Sequence, residues 1–490
     1  MCEYFDILAY LMGKQAGGGS GGDVTVESKS IDANGTYTAP TGKAYSPVTV
    51  DVPNSYAAGD EGKVVSNGQL VAQTAHAEVT SNGTIDTTLN DSVVVNVSGG
   101  GGGGSVSPKQ VNFIDYDGSI LYSYTAQEAN ALSALPANPS HSGLTAQGWN
   151  WTLAQIKAQL TAVPDGPVWV GQMYITQSGD TEIDVSMPDG RLSPILTIAV
   201  NGSVTVDWGD GTTADTVTGS SLTDRQAVPH TYATPGDYTM KIHVASGNFT
   251  FYGSSNYLIL RKNTTSNQNR VYANCVQAVR LGSGITSIGT YAFYYCSRLT
   301  SITIPSSVTS IESVAFYYCY SLASITIPNS VTSIDSSEFY SCTSLTSIAI
   351  PAAVTSIGGG AFYNCYSLAS ITIPSSVTSI GVNAFQNCYS LPSITIPSGV
   401  TSIEGTSFST CASLASITIP SSVTSIGVNA FNNCYGVAEY HIKPTSPPTA
   451  GTTIFNGIVS ECVIYVPSAK LNDYKAAQNW STYASYMQGE

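Results

Sequence analysis

The stretch L-T-S-I-T-I-P-S-S-V-T-S-I-E-S-V-A-F-Y-Y-C, residues Leu299 to Cys319, is one copy of a unit that repeats without drift. A phenylalanine recurs every 23 residues, at Phe293, Phe316, Phe339, Phe362, Phe385, Phe408 and Phe431. A cysteine follows each one three residues later, from Cys296 to Cys434, and a proline closes an apolar alternation from Pro305 to Pro420. A fixed period in the twenties predicts a stacked solenoid. In each unit two isoleucines, such as Ile302 and Ile304, fall on one face of a short strand. The valine, isoleucine, alanine, phenylalanine and cysteine that follow complete the inward set. About six large apolar side chains stabilise a unit by roughly 1.5–3 kcal/mol each when buried. Ordering the backbone costs about 1–2 kcal/mol per residue, so a unit is stable only within a stack.

The unit resembles the leucine-rich repeat of the BspA type, found in bacterial surface adhesins and in some phage and prophage proteins. The resemblance covers about a third of the chain and implies a binding solenoid without catalysis. This copy is poor in charge: between Leu281 and Gly436 only Arg298, Glu312, Asp335, Glu338 and Glu404 are charged.

The whole chain has 490 residues, which is room for several domains, and a net charge of −15. No basic stripe is present to neutralise phosphates, so nucleic acid is not expected as a partner. Charged residues make up 10% of the chain, and the surface is left to Gly, Ser, Thr and Tyr. Seven of the ten cysteines are repeat positions. They are expected as small buried thiols stacked in register, because parallel side chains pair poorly as disulfides. No C-x-x-C pair suggests zinc, and no apolar run reaches membrane-spanning length. Residues 1–15 lack a basic start and a small-residue cleavage site, so export by a signal peptide is not expected.

Taken in order, residues 1–22 read as an amphipathic docking peptide and a Gly linker. Residues 23–97 read as small β modules with Asn34-Gly35, Asn67-Gly68 and Asn82-Gly83 turn signals. These resemble modules in tail proteins of phages and prophages of gram-positive hosts. A Gly/Ser linker spans 98–107. Residues 108–187 form a small α/β module, with Thr125 and Glu128 as a capping box. Its N-F-I-D-Y-D-G and G-L-T-A-Q-G-W-N-W segments resemble a module of phage tail-fibre and BspA-like proteins. Residues 188–260 read as an immunoglobulin-like β-sandwich. Its W-G-D-G-T turn at Trp208 and H-T-Y segment at His230 resemble the PKD domain, which implies a spacer role. The solenoid spans 261–442 and a C-terminal cap 443–490, and the boundary at 261 implies that residues 261–490 fold alone. The fold class is thus mainly β and multidomain.

No catalytic constellation emerges. Gly18 to Gly22 matches G-x-S-x-G, and Gly99 to Gly104 matches G-x-G-x-x-G, but both lie in linkers. Asp115 with Asp117, and Asp207 with Asp210, are read as turn carboxylates rather than cation ligands, and no cofactor or metal is expected. His230 is read as a structural residue. The candidate ligand-binding residues are the tyrosines that vary around each Phe and Cys: Tyr294, Tyr295, Tyr317, Tyr318, Tyr320, Tyr340, Tyr363, Tyr366 and Tyr389, with Tyr291 and Tyr435 beside them. Rigid tyrosine mixed with adaptable Ser and Asn is the chemistry of a recognition surface; packing of each tyrosine on the next rung is the competing reading. Thr303, Thr326, Thr372, Thr395 and Thr418 form a polar ladder on the strand side.

These readings converge on a non-enzymatic receptor-binding protein of a phage or prophage tail, located in the virion. Its partners would be a host cell-surface glycan or protein and, through the N-terminal region, other tail or baseplate proteins. A bacterial cell-surface adhesin is the alternative, a glycan-cleaving tail enzyme is a further one, and self-association is left open.

Overall fold

The computed structural model describes residues 110–162, 167–253, 259–262 and 269–490, together with four short strands nearer the N-terminus. The chain divides into two units, residues 1–105 and 106–490. In the first, β1 (Gly35–Tyr37) pairs antiparallel with β2 (Val48–Val50). In the same unit β3 (Lys63–Ser66) pairs with β4 (Gln69–Ala72) across Asn67-Gly68, the expected hairpin. The docking peptide, both linkers and the Asn82-Gly83 segment lie outside the described residues.

The second unit opens with a four-stranded sheet, ordered β6-β5-β8-β7. Its strands are β5 (Gln110–Ile114), β6 (Ile120–Thr125), β7 (Leu144–Trp149) and β8 (Val168–Thr176). Helix α1 (Ala126–Ala131) has its capping box, with Glu128 Oε2 accepting the Thr125 N–H at 2.8 Å. Helix α2 (Leu153–Ala162) is capped the same way by Thr152 and Gln155. Val111, Phe113, Trp149, Trp151, Ile156 and Val170 form the core between sheet and helices.

The next strands are β9 (Thr181–Met187), β10 (Ile195–Asp207), β11 (Asp215–Pro229), β12 (Gly236–Thr250), β13 (Leu260–Arg261) and β14 (Val276–Arg280). They join one sheet in the order β11-β10-β12-β9-β14, with β13 against β10. That sheet continues directly into the repeats, since β14 pairs in parallel with Ser301–Thr303. It therefore runs across positions 187 and 260, where the sequence suggested divisions. Strand β9 lies antiparallel along β14 and covers the edge that the first rung would otherwise expose. Arg280 fastens this junction: its guanidinium donates to both Asp184 carboxylate oxygens at 2.7 and 2.8 Å and to Glu182 at 2.9 Å.

The repeats then stack in exact 23-residue register. Ser324–Thr326, Ser347–Ala349 and Ser370–Ile371 pair in parallel on one side, and Ser333–Ile334, Ser356–Ile357 and Ser379–Ile380 on another. Inside, Phe293 to Phe431 form one column of near-parallel rings with centroids 5.3–5.5 Å apart. Each repeat thiol from Cys319 to Cys434 donates to the carbonyl of the phenylalanine one rung back, at 3.1–3.3 Å. Small hydroxyls do the same outside: Thr300, Thr309 and Thr346 donate to carbonyls of the preceding rung. This is a physical reason for so few charges, because Ser and Thr satisfy the backbone at each rung edge. At the far end Glu439–Ile442, Val463–Val466 and Met487–Gly489 extend the sheet, and buried Tyr474, Trp480 and Tyr483 close the core.

Candidate binding surface of the solenoid

The third side of each rung contains no regular strand, and its backbone still pairs with the next rung. Around each core phenylalanine, alternate N–H groups point along the stack. Phe316 donates to Glu338 O at 2.9 Å and Tyr318 to Tyr340 O at 2.9 Å. That alternation requires left-handed backbone two residues before and two residues after each phenylalanine. After it stand Tyr295, Tyr318, Ser341, Asn364, Asn387, Thr410 and Asn433, with φ from 57° to 64°. Before it stand Tyr291, Val314, Ser337, Gly360, Asn383, Thr406 and Asn429, with φ from 54° to 67°. Left-handed backbone costs an L-residue roughly 1–2 kcal/mol, and Asn and Gly are the residues that adopt it readily. The side chains at these positions bond along the stack as well: Asn387 Nδ2 donates to Asn364 Oδ1 at 2.8 Å.

The structure gathers Tyr294, Tyr295, Tyr317, Tyr318, Tyr320 and Tyr340 into one cluster at the first rungs. Tyr317, Tyr340 and Tyr363 stack face to face, at 4.3 and 4.6 Å with interplanar angles of 5° and 4°. Their faces are taken by one another, so they present edges and hydroxyls. Tyr318 meets Tyr295, Tyr317 and Tyr340 edge-on. Tyr366 and Tyr389 form a second stacked pair at 5.1 Å. Most of these rings are half-buried, whereas Tyr320 and Tyr435 are exposed by 39% and 53%. Burial, with hydroxyl contacts to Tyr318 and Tyr340, pushes the Tyr317 phenol well above its usual range. Burial likewise raises Tyr366, to about 12. The Tyr317 and Tyr366 phenols are therefore neutral at physiological pH. Rung-to-rung packing and a presented aromatic surface thus coexist in the same residues.

The strand side is different, because the α/β module is seated on it. Asn150 donates to Ile327 O at 3.1 Å and to Ala349 O at 3.0 Å, and Trp151 Nε1 donates to Ile350 O at 2.9 Å. Gln159 bonds Ile373 O and the Ser375 N–H. Thr372 Oγ1 donates to Pro167 O and accepts from the Trp169 N–H. Thr303, Thr326 and Thr372 are consequently buried, whereas Thr418, further along the ladder, is exposed.

The remaining candidates have local structural partners. Asp115 accepts the Tyr116 N–H and the Tyr174 hydroxyl, and lies 2.6 Å from His141 Nε2. Asp210 accepts from Thr212 and faces His230, whose ring stacks on Trp208 at 4.5 Å. Among the described residues no cluster of three metal-ligating side chains occurs. The described cysteines are all unpaired and buried. Glu338 takes the slot that Ala292, Ala315, Ala361, Ala384 and Ala430 fill in other rungs, and it is fully buried. Burial, then the Asp335 carboxylate, pushes its carboxyl well up, although the Asp335 N–H donates to it.

Residues 244–369 and 332–462 match the family model for the BspA type leucine rich repeat region. The matched residues, 244–462, are thus similar to the BspA type leucine rich repeat region. Among solved structures, a leucine-rich repeat protein from Bacteroides ovatus aligns at 28% identity and a TM-score of 0.35, covering 46% of this chain. This chain spans 62% of that protein's length. The T. pallidum leucine rich repeat protein aligns at 27% identity and a TM-score of 0.32, over 44% of this chain and 91% of its own. A leucine rich cell surface protein from Faecalibacterium prausnitzii aligns at 24% identity and a TM-score of 0.28, over 50% of this chain and 90% of its own. Comparison with curated proteins gives no match.

Proposed function

We propose that this chain is a non-enzymatic adhesive protein of the bacterial cell surface that binds its ligand on the tyrosine side of a BspA-type solenoid. The observation that carries this reading is the neutral tyrosine cluster on rungs held rigid by continuous backbone ladders. Rigid aromatic anchors lose little entropy on binding and dominate the energetics of recognition surfaces. The covered strand side supports the same assignment, since Thr303, Thr326 and Thr372 are not open to a ligand. Catalysis on a glycan needs two accessible carboxyl groups about 5–10 Å apart. The solenoid's acids are a poor source: Glu338 is buried, and Glu312 and Glu404 accept hydrogen bonds from Thr290 and Ser402.

The BspA-type repeats favour the cell surface over the virion tail that the N-terminal segments suggested. The PKD-like stretch, with buried Trp208 and Tyr232, fits a spacer that presents the solenoid. Immunogold labelling of producing cells and of any particles they release tests the setting. Gold on intact cell envelopes is expected; gold confined to tail structures would return the protein to the virion. Adhesion of the labelled full chain to host cells or matrix tests the activity, and no adhesion to any surface would refute it.

A further inference from the structure

Tyr295 and Tyr318 occupy a backbone position that three other rungs give to Asn364, Asn387 and Asn433. Asparagine suits left-handed backbone, and a bulky aromatic residue does not. The first two rungs therefore carry tyrosine against a local preference that three later rungs obey, with Ser341 and Thr410 in the other two. Strain of this kind is retained where the side chain itself is needed. The two strained rings meet edge-on at 4.6 Å, and exposed Tyr320 lies 5.4 Å from Tyr318. Burial raises the adjacent phenols of Tyr317 and Tyr340, and the side chains that act on them besides are other tyrosines.

We propose that Tyr295 and Tyr318, with Tyr320 beside them, are the centre of the binding surface and that its ligand is a neutral carbohydrate. This rests on the adhesive reading and narrows it. Phenol rings offer an apolar surface to sugar C–H groups, and their hydroxyls both donate and accept hydrogen bonds. The contacts within this cluster are ring to ring, so the phenols themselves give an ionic ligand no charge to pair with, and exposed Arg298 is the nearest charge in sequence.

The test is the double variant Tyr295→Asn with Tyr318→Asn in the full chain, which installs the residue used by later rungs. Its melting temperature should rise by a few degrees. Binding to an array of neutral oligosaccharides, such as maltohexaose, cellohexaose, xylohexaose and mannohexaose, should fall at least tenfold. Tyr318→Phe, which keeps the ring and the fold, should lose binding several-fold through the hydroxyl alone. Asn472→Ala, exposed on the C-terminal cap, should bind as wild type. A lower melting temperature in the double variant would overturn the strain argument. Wild-type binding by that variant would overturn the placement. Wild-type protein that adheres to cells but binds no neutral glycan would overturn the ligand class and leave the adhesive reading standing. Absence of adhesion by wild type would instead remove the adhesive reading itself.

Discussion

Residues whose chemistry conflicts with their backbone or surroundings are the most informative single positions. Val314 holds a β-branched side chain at φ 67° where Asn383 and Asn429 stand in later rungs. Val314→Asn should stabilise the protein by about 1 kcal/mol, read as a higher midpoint in urea. Glu338 conflicts through charge. Its folded pKa is raised above the ordinary 4.5, so the folded state binds a proton that the unfolded state releases. The stability from holding it neutral is therefore complete below about pH 4.5 and is lost as pH rises through the folded value. Glu338→Ala should remove that slope and gain about 1–3 kcal/mol at neutral pH. Melting curves from pH 4 to pH 8 check this, and an unchanged slope would contradict it. The thiols were legible in the sequence, because a cysteine locked to a 23-residue period has to stack inside. Burial pushes the Cys434 thiol up to about 12. Cys319 to Cys434 should therefore resist iodoacetamide at pH 8 in the native protein and react after unfolding, by peptide mapping. The left-handed positions were also written in the sequence, as Asn and Gly beside Phe362, Phe385 and Phe431. They were read as variable surface, since tyrosine in the first rungs hid the backbone requirement.

Elements were legible where their signal is local. The α1 capping box, the Asn67-Gly68 hairpin and the strands of most repeats follow from a few adjacent residues; residues 393–396, after Pro392, form no strand. The seating of the α/β module on the strand side was not legible. Its contacts join residues 199 apart in sequence, as from Asn150 to Ala349, and a threonine ladder looks alike whether open or covered. Asn150 is fully buried and also accepts the Gly171 N–H at 2.7 Å. Asn150→Ala would leave three backbone groups unpaired, at about 1–3 kcal/mol for each that stays dry. Hydrogen exchange in β7 and β8 should quicken, with the Phe column unaffected. Arg280→Ala should loosen the junction of β9 and β14 by about 1.5–3 kcal/mol, the worth of a charge-assisted hydrogen bond. Early exchange of β9 amides would show it.

At the scale of the second unit, strands β9 to β14 form one sheet that runs into the repeats, not the two-sheet sandwich expected, and share one core with the solenoid. A fragment of residues 261–490 lacks β9, exposes the edge of β14 and loses the cover over Thr303, Thr326 and Thr372. It should melt without cooperativity, whereas residues 106–490 should melt as one transition. The central claim is that the ligand meets the tyrosine side and that the strand side belongs to the protein itself. A Cβ at Gly171, in β8, would lie 3.1 Å from the Cβ of Thr326, only a few tenths of an ångström short of the bridging range, so Gly171→Cys with Thr326→Cys can lock the module onto the strands. The most direct measurement is adhesion of this variant with the disulfide formed and after reduction. Equal, wild-type adhesion in both states is the predicted result. Adhesion lost on locking and restored by reductant would place the ligand on the strand side instead.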